Sequence, residues 1–281
     1  MPEPSLLTDR TALMRNRTRA LRLANPAMFL QLEAVLEIKE RLIEVNRTFT
    51  SVAIVTPFAE IWRDFGLGVT IVPDDDVLTL ESEAYDLVIH SMSLHWSNDP
   101  VGQLIQCKRA LKPDGLFVGA CFGGSTLSEL RAAMAEAEIS ITNGLSPRVL
   151  PMGEIREFGS LLQRAGFAMP VADTITRLVS YADMTALMRD LRAMGENNAL
   201  AQRSGVFAPR GLFDAAAKIY ADAFGVGDGR INATFELIFL TGWAPDESQQ
   251  KPLKPGSANV RLADALNTSE HSLPDAPKKR I

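Results

Sequence analysis

The residues best equipped for chemistry lie in a few short stretches. His95 and Trp96 close the run Tyr85-Asp-Leu-Val-Ile-His-Ser-Met-Ser-Leu-His-Trp96. An imidazole can act as a general base near neutral pH, and an indole can stack on a planar cation or a base. The same two side chains also suit an ordinary strand cap with a half-buried ring. Asp74, Asp75 and Asp76 follow the apolar Val69–Val72. Carboxylates at a strand end can hold sugar hydroxyls or an exocyclic amine, and an acidic run can equally be a solvated turn. Thr56 follows the apolar Ser51–Val55, and Ser91 follows Tyr85–His90. Glu196 and Asn197 follow Gly195, either as polar groups facing a substrate or as a helix C-cap turn. Near the N-terminus, five arginines between Arg10 and Arg22 stand beside a single acid, Asp9. Arg10, Arg15 and Arg17 are the candidates there for contact with a protein partner, and the spacing of Arg15, Arg19 and Arg22 also fits a solvated helix side.

Strands and helices must position these groups. Ser51–Val55 is short, apolar and β-branched, as a strand buried on both faces should be. Val69–Val72, Tyr85–His90 and Leu116–Cys121 read as further strands, with Lys112-Pro-Asp-Gly115 as a turn before the last. Helical spacing marks Leu30–Val45, Val101–Leu111, Thr126 to about Ile139, Glu154–Ala165, Asp183–Met194 and Leu212–Phe224. A short helix is expected over Pro57–Phe65, and late strands over Val171–Val179 and Ala233–Trp243. Strands alternating with helices imply a doubly wound α/β fold with a mostly parallel, Rossmann-like sheet. The expected organisation is a helical segment over 1–46, a main domain over 47–244 with a helical insertion at about 180–230, and an arm or disordered tail over 245–281, where proline, lysine and serine dominate.

The bulk properties narrow the function classes. A chain of 281 residues with 46% hydrophobic residues can bury a sizeable core. A formal net charge of −5 argues against a general nucleic-acid binder. No apolar stretch approaches the ~18–20 residues of a membrane span, which predicts a soluble protein without a transmembrane segment. Cys107 and Cys121 predict no disulfide framework. With His90, His95 and His271 they form no metal-spaced cluster, so no metal is expected.

Two segments are more specific. Tyr85–Trp96 followed by Asn98-Asp-Pro100 resembles the fourth strand and next loop of class I S-adenosylmethionine-dependent methyltransferases, and Arg109-Ala-Leu-Lys-Pro-Asp-Gly-Leu-Phe117 resembles their following helix, turn and fifth strand. Leu6-Leu-Thr-Asp-Arg-Thr-Ala-Leu-Met-Arg-Asn-Arg17, Phe122-Gly-Gly-Ser-Thr-Leu-Ser-Glu-Leu-Arg131, Ser146-Pro147, Asp190–Asn197 and Gly242-Trp243 with Glu247-Ser-Gln249 are similar to one branch, related to the biotin-pathway malonyl-carrier methyltransferase. That branch includes a mitochondrial complex I assembly factor described as hydroxylating an arginine. The resemblance implies a bacterial, cytoplasmic protein or one peripheral at the inner membrane. It implies S-adenosylmethionine as cofactor and a protein substrate or partner in assembly of the NADH dehydrogenase, complex I. It assigns His95 and Trp96 to catalysis, Thr56, Asp74, Asp75 and Ser91 to the cofactor, and Arg10, Arg15, Arg17, Glu196 and Asn197 to substrate or partner. The alternative is an inactive methyltransferase-fold binding module or assembly chaperone.

The cofactor loop departs from that pattern. The fold needs a glycine-rich turn after its first strand, so that the backbone approaches the ligand and helix N–H groups face it. Here the turn is Val55-Thr-Pro-Phe-Ala-Glu60. It has no glycine, Pro57 removes a donor, and Phe58 falls where the cofactor's methionine end passes. The interval from Val55 to Tyr85 is also short for two strands and their helices, since a βαβ unit alone takes roughly 30 residues. One βα unit is therefore expected to be missing. Val69–Val72 then serves as strand two, whose acid holds the ribose, or as strand three, whose acid faces the adenine amine; Ile71-Val-Pro-Asp-Asp-Asp-Val-Leu78 resembles the branch's strand three, which implies that the ribose acid is absent.

Overall fold

The computed structural model describes residues 6–66, 68–249 and 260–269. By contacts the chain forms two units, Met1–Asp246 and Glu247–Ile281. The described part of the second holds one short helix, Leu262–Ala265. Most of the arm expected over 245–281 lies outside the described residues.

The first unit is built on six strands: β1 Val52–Val55, β2 Thr70–Val72, β3 Tyr85–Ser91, β4 Leu111–Phe122, β5 Ala168–Tyr181 and β6 Ile231–Trp243, in the order β2-β1-β3-β4-β6-β5. β2, β1, β3 and β4 run parallel, whereas β6 pairs antiparallel with both β4 and β5. The three runs expected at the centre, β1, β3 and β4, are adjacent and interior. Their continuous apolar character has its cause in two-sided burial, all four residues of β1 being buried. β5 alternates exposed and half-buried residues, as an edge strand with one wet face does.

Helices cover both faces. Two of them, α1 Arg10–Leu21 and α2 Phe29–Val45, precede the sheet. α2 packs on one face together with α4 Ser128–Thr142, α6 Met184–Met194 and α7 Leu212–Phe224. On the other lie α3 Pro100–Ala110 and α5 Ile155–Ala165, around Leu104, Phe158 and Leu162.

Between β1 and β3 the described chain holds little regular structure. The helix expected over Pro57–Phe65 is reduced to one 3-10 turn, Ala59–Trp62. No α-helix occurs between β1 and β3 among the described residues. With so little chain, β2 pairs directly with β1, Val55 opposite Val72. By position it is therefore the strand next to the first, and Asp74 follows it.

Candidate functional site

Ligands of open α/β sheets bind beyond the strands' C-terminal ends. In this chain α1 lies across those ends. Asp9 caps it by accepting the Ala12 N–H at 3.0 Å, and Arg203 anchors that carboxylate at 2.7 Å. The chain before it pairs with the segment after α6: Asp9 N–H donates to Ala199 O at 2.8 Å and Ala201 N–H to Leu7 O at 2.9 Å. Gly195 lets the two helices approach. It takes a left-handed conformation at φ 82°, and a Cβ there would stand 3.0 Å from the Arg17 Cα.

The inner face of α1 carries Leu13, Asn16, Arg17 and Ala20. Arg17 is 6% exposed, and its Nη1 donates to both oxygens of Asp74, at 3.0 and 2.9 Å. Arg10 adds a second contact to Asp74 at 3.3 Å and reaches Asp75 at 3.7 Å. Asp74 is itself buried, and Gln103 Nε2 donates to the carbonyls of Asp74 and Asp75. Gln103 Oε1 meets His90 Nε2 at 3.0 Å. Burial holds His90 down to about 4, so its ring is neutral at ordinary pH. Of the three arginines expected on a partner surface, Arg15 is exposed while Arg10 and Arg17 turn inward. A buried acid, Asp74, 64 residues from Arg10 and 57 from Arg17, draws them there.

These contacts bear on S-adenosylmethionine. Asp74, the acid after β2, is already paired with two guanidinium groups of the chain. Phe58 is 2% exposed, and its N–H donates to Thr56 Oγ1 at 3.2 Å, so the loop after β1 folds onto itself. Ser91 is buried with its hydroxyl unpartnered, and Asp75 is exposed. Cavities of about 230, 410 and 510 Å³ occur in the molecule, and none is lined by Thr56, Phe58, Asp74, Asp75 or Ser91. As folded, with α1 in place, the residues of the cofactor position do not fit the group.

The cavity of about 230 Å³ lies beyond the ends of β3 and β4 instead, enclosed by α4, α6 and α7. Trp96, Phe122 and Phe235 line it from the sheet side, and Leu130, Met134, Leu191 and Phe213 from the helices. Its polar groups include Glu196, Asn197, Arg148 and Arg192. Arg148 is neutralised by Glu138 at 2.6 Å, and Arg192 is exposed. Glu196 is the unusual member. Its side chain is 5% exposed; Oε2 accepts from Trp96 Nε1 at 2.6 Å, and Oε1 has no partner. Burial raises its proton affinity, but hydrogen bonds from His95 and Trp96 and the charge of Arg17 outweigh that and hold the carboxyl below its ordinary value. It is a buried carboxylate with one oxygen to spare.

His95 orients this group. Its Nδ1 accepts the Phe122 N–H at 3.4 Å, which leaves the proton on Nε2, 3.4 Å from Glu196 Oε2. Both ring nitrogens are thus committed within the fold, and no free lone pair remains for the general-base role expected of His95. The structure brings His95, Trp96 and Glu196 together across about a hundred residues of sequence. Asn197 holds α1 through its carbonyl, which accepts from Asn16 Nδ2 at 3.2 Å. Sequence reasoning missed Phe122, Phe235 and Phe213 as lining residues. Phe122 had one usable signal, its place at the end of an apolar strand.

The sheet carries an antiparallel β6 between β4 and β5, and residues 36–119 match the family model for a methyltransferase domain. Over the stretches they share, the chain is similar to arginine-hydroxylase NDUFAF5 and to malonyl-[acyl-carrier protein] O-methyltransferase. It is 42% identical over 194 residues to arginine-hydroxylase NDUFAF5, mitochondrial, of Danio rerio, covering 69% of this chain and 60% of that protein. The Homo sapiens protein of the same name is 38% identical over 212 residues, 75% of this chain and 61% of its own length. Malonyl-[acyl-carrier protein] O-methyltransferase of Xylella fastidiosa (strain M23) is 33% identical over 184 residues, 66% of this chain and 59% of the relative. The matched stretch therefore spans less than two thirds of each of these relatives. Among the described residues, no helix is long and apolar enough to cross a membrane.

Proposed function

We propose that the chain holds an arginine side chain of a protein partner in the cavity beside Glu196 and Trp96, in the assembly of the NADH dehydrogenase. One observation carries this reading: the buried carboxylate of Glu196 lines an apolar cavity with Oε1 unpartnered. A buried acceptor of that kind calls for a charged donor. A guanidinium supplies it, and its flat face stacks on Trp96. His95 is a positioning residue here, keeping Oε2 turned toward the indole. Binding and orienting the guanidinium is the part of the relatives' named activity for which the chain's own residues are suited.

A second reading is methyl transfer from S-adenosylmethionine. The unpartnered buried hydroxyl of Ser91 at the end of β3 favours it. It requires α1 first to withdraw Arg17 from Asp74.

The test is a titration of the purified chain with an arginine-containing peptide and its lysine-substituted twin, followed by tryptophan fluorescence. Glu196→Gln keeps the shape and removes the charge. It should weaken the arginine peptide about 10- to 100-fold, the worth of a charge-assisted hydrogen bond of about 1.5–3 kcal/mol. Equal affinity for both peptides, or no effect of Glu196→Gln, would remove arginine from the cavity.

A further inference from the structure

The free edge of β5 is a second feature, which the cavity does not use. β5 stands last in the sheet, and β6 pairs with it on one side only. Pro170 and the register shift between Ala168 and Val171 close its start. From Val171 to Tyr181 the register is unbroken, and this stretch holds neither proline nor glycine. Among the described residues, the only further hydrogen bond to its backbone comes from Arg230 Nη2, which donates to the Ser180 carbonyl at 2.9 Å. A long edge with one row of N–H and C=O groups left unpaired is a template for another strand.

The side chains along this edge fit a copy of themselves. Asp173 and Arg177 both turn toward α2, where Asp173 Oδ1 accepts from Arg41 Nη2 and Arg177 donates to Glu33 and Glu37. Each keeps an atom to spare: Asp173 Oδ2 and Arg177 Nη1 have no partner among the described residues, and the two side chains are 45% and 41% exposed. When two identical strands pair antiparallel about a two-fold axis, the numbers of facing residues have a constant sum, and facing residues share one side of the sheet. Only the register centred on Ile175 sets Asp173 opposite Arg177, and the symmetry makes that pair twice. Centred one residue away, Asp173 would face Ile175 or Val179 instead. The same register sets Val171 opposite Val179, Ala172 opposite Leu178 and Thr174 opposite Thr176, so that polarity matches at every step. Val171 and Leu178 are 56% and 63% exposed in the single chain.

We infer that two copies of the chain join edge to edge by antiparallel pairing of β5, in the register centred on Ile175. Charge complementarity commits the occupant, because the strand itself supplies both the acid and the cation that it needs opposite. The unpaired backbone groups of each edge then find partners in the other copy, and the spare atoms of Asp173 and Arg177 meet across the axis. The inference goes beyond the arginine cavity and does not depend on it.

The experiment combines sedimentation equilibrium of the full chain with disulfide trapping. The native chain should form a reversible dimer. Asp173→Asn removes both cross-strand ion pairs and should raise the dimer dissociation constant about 2- to 30-fold, at about 0.2–1 kcal/mol for each pair. The register is read by two single variants at exposed positions, Thr174→Cys and Thr176→Cys. In the proposed register, the thiol at 174 faces the thiol at 176 of the other copy. Either variant alone places its two thiols on a diagonal of about 7–8 Å between Cα atoms, beyond the reach of a disulfide. Oxidation of an equal mixture should therefore give a covalent dimer, and oxidation of either variant alone should not. Cys107 and Cys121 are buried and stay out of this reaction. Should Asp173→Asn melt abnormally, the cysteine pair decides the matter. A chain that stays monomeric up to about 0.1 mM, a folded Asp173→Asn dimer as tight as the parent, or a mixture that cross-links no better than the single variants would overturn the proposal. The monomeric outcome would leave the edge to a strand of another protein.

Discussion

Arg17 should be structural, and replacing it is the most informative perturbation of the fold. In Arg17→Met the side chain keeps much of its volume, but Asp74 loses its closest partner. Both side chains of this pair are less than a tenth exposed. Removing one member of a buried ion pair leaves an uncompensated charge and typically costs about 3–5 kcal/mol. Arg10 remains at 3.3 Å and is itself only about a fifth exposed, so it recovers part of that loss. The expected cost is about 3 kcal/mol, which at about 2–4 °C per kcal/mol for a chain of this size lowers the melting temperature by roughly 6–12 °C. Arg15→Gln on the outer face should change stability by no more than about 0.5 kcal/mol. Circular dichroism melts of the parent, both single variants and the pair Arg17→Met with Asp74→Leu provide the assay. The pair should be more stable than Arg17→Met alone, because replacing a whole buried ion pair by apolar groups is far cheaper than orphaning one charge. Parent-like melting of Arg17→Met, or no recovery in the pair, would refute the idea that α1 is locked to the sheet through Asp74.

Other outcomes follow from the same geometry. Phe58→Ala should cost about 3–5 kcal/mol as a core truncation, and a loss below about 1 kcal/mol in a denaturant melt would show Phe58 to be a loose plug over an open cleft. Hydrogen bonds from Arg148 and Ser146 hold Glu138 down to about 2, from 4.5 in the unfolded chain. A lowered folded value stabilises fully above the unfolded one and is lost as pH falls. The stability gap between the parent and Glu138→Gln should therefore shrink between pH 4.5 and about 2, and a gap that stays constant across that window would contradict the pairing. His90 is held near 4 by burial, so the unfolded chain takes up its proton first as pH falls from 6.5. The parent should lose stability over that range, and His90→Gln should flatten the slope.

The elements were legible where local pattern and burial agree. Ile54, Val88 and Val118 sit in runs whose apolar continuity has no other use than a strand covered on both faces, and Lys112-Pro-Asp-Gly115 announces its turn chemically. The missing βα unit could be read from chain length alone. The site was legible only in part, because its contacts are remote in sequence. The stripe of Arg15, Arg19 and Arg22 was visible in the helical spacing, but nothing local told Arg17 apart from it. Its orientation depends on Asp74, and no helical periodicity carries that information. Glu196 drew attention as a polar residue after a helix stop, which is also what a C-cap turn provides. Its burial against Trp96, and the spare oxygen that makes it a candidate acceptor, exist only once the segment after α6 has met the turn after β3. The spacing set His95 at the sheet's end, but it held no hint that the Phe122 N–H and Glu196 would engage the two ring nitrogens.

The most direct test is a calorimetric titration of the full native chain with S-adenosylhomocysteine, the product form of the methyl donor. With Asp74 held by Arg17 and Phe58 packed into the loop after β1, no saturable heat is expected, meaning a dissociation constant weaker than about 1 mM. A micromolar dissociation constant for the unaltered chain would contradict the occupied cofactor position and restore methyl transfer as the working function.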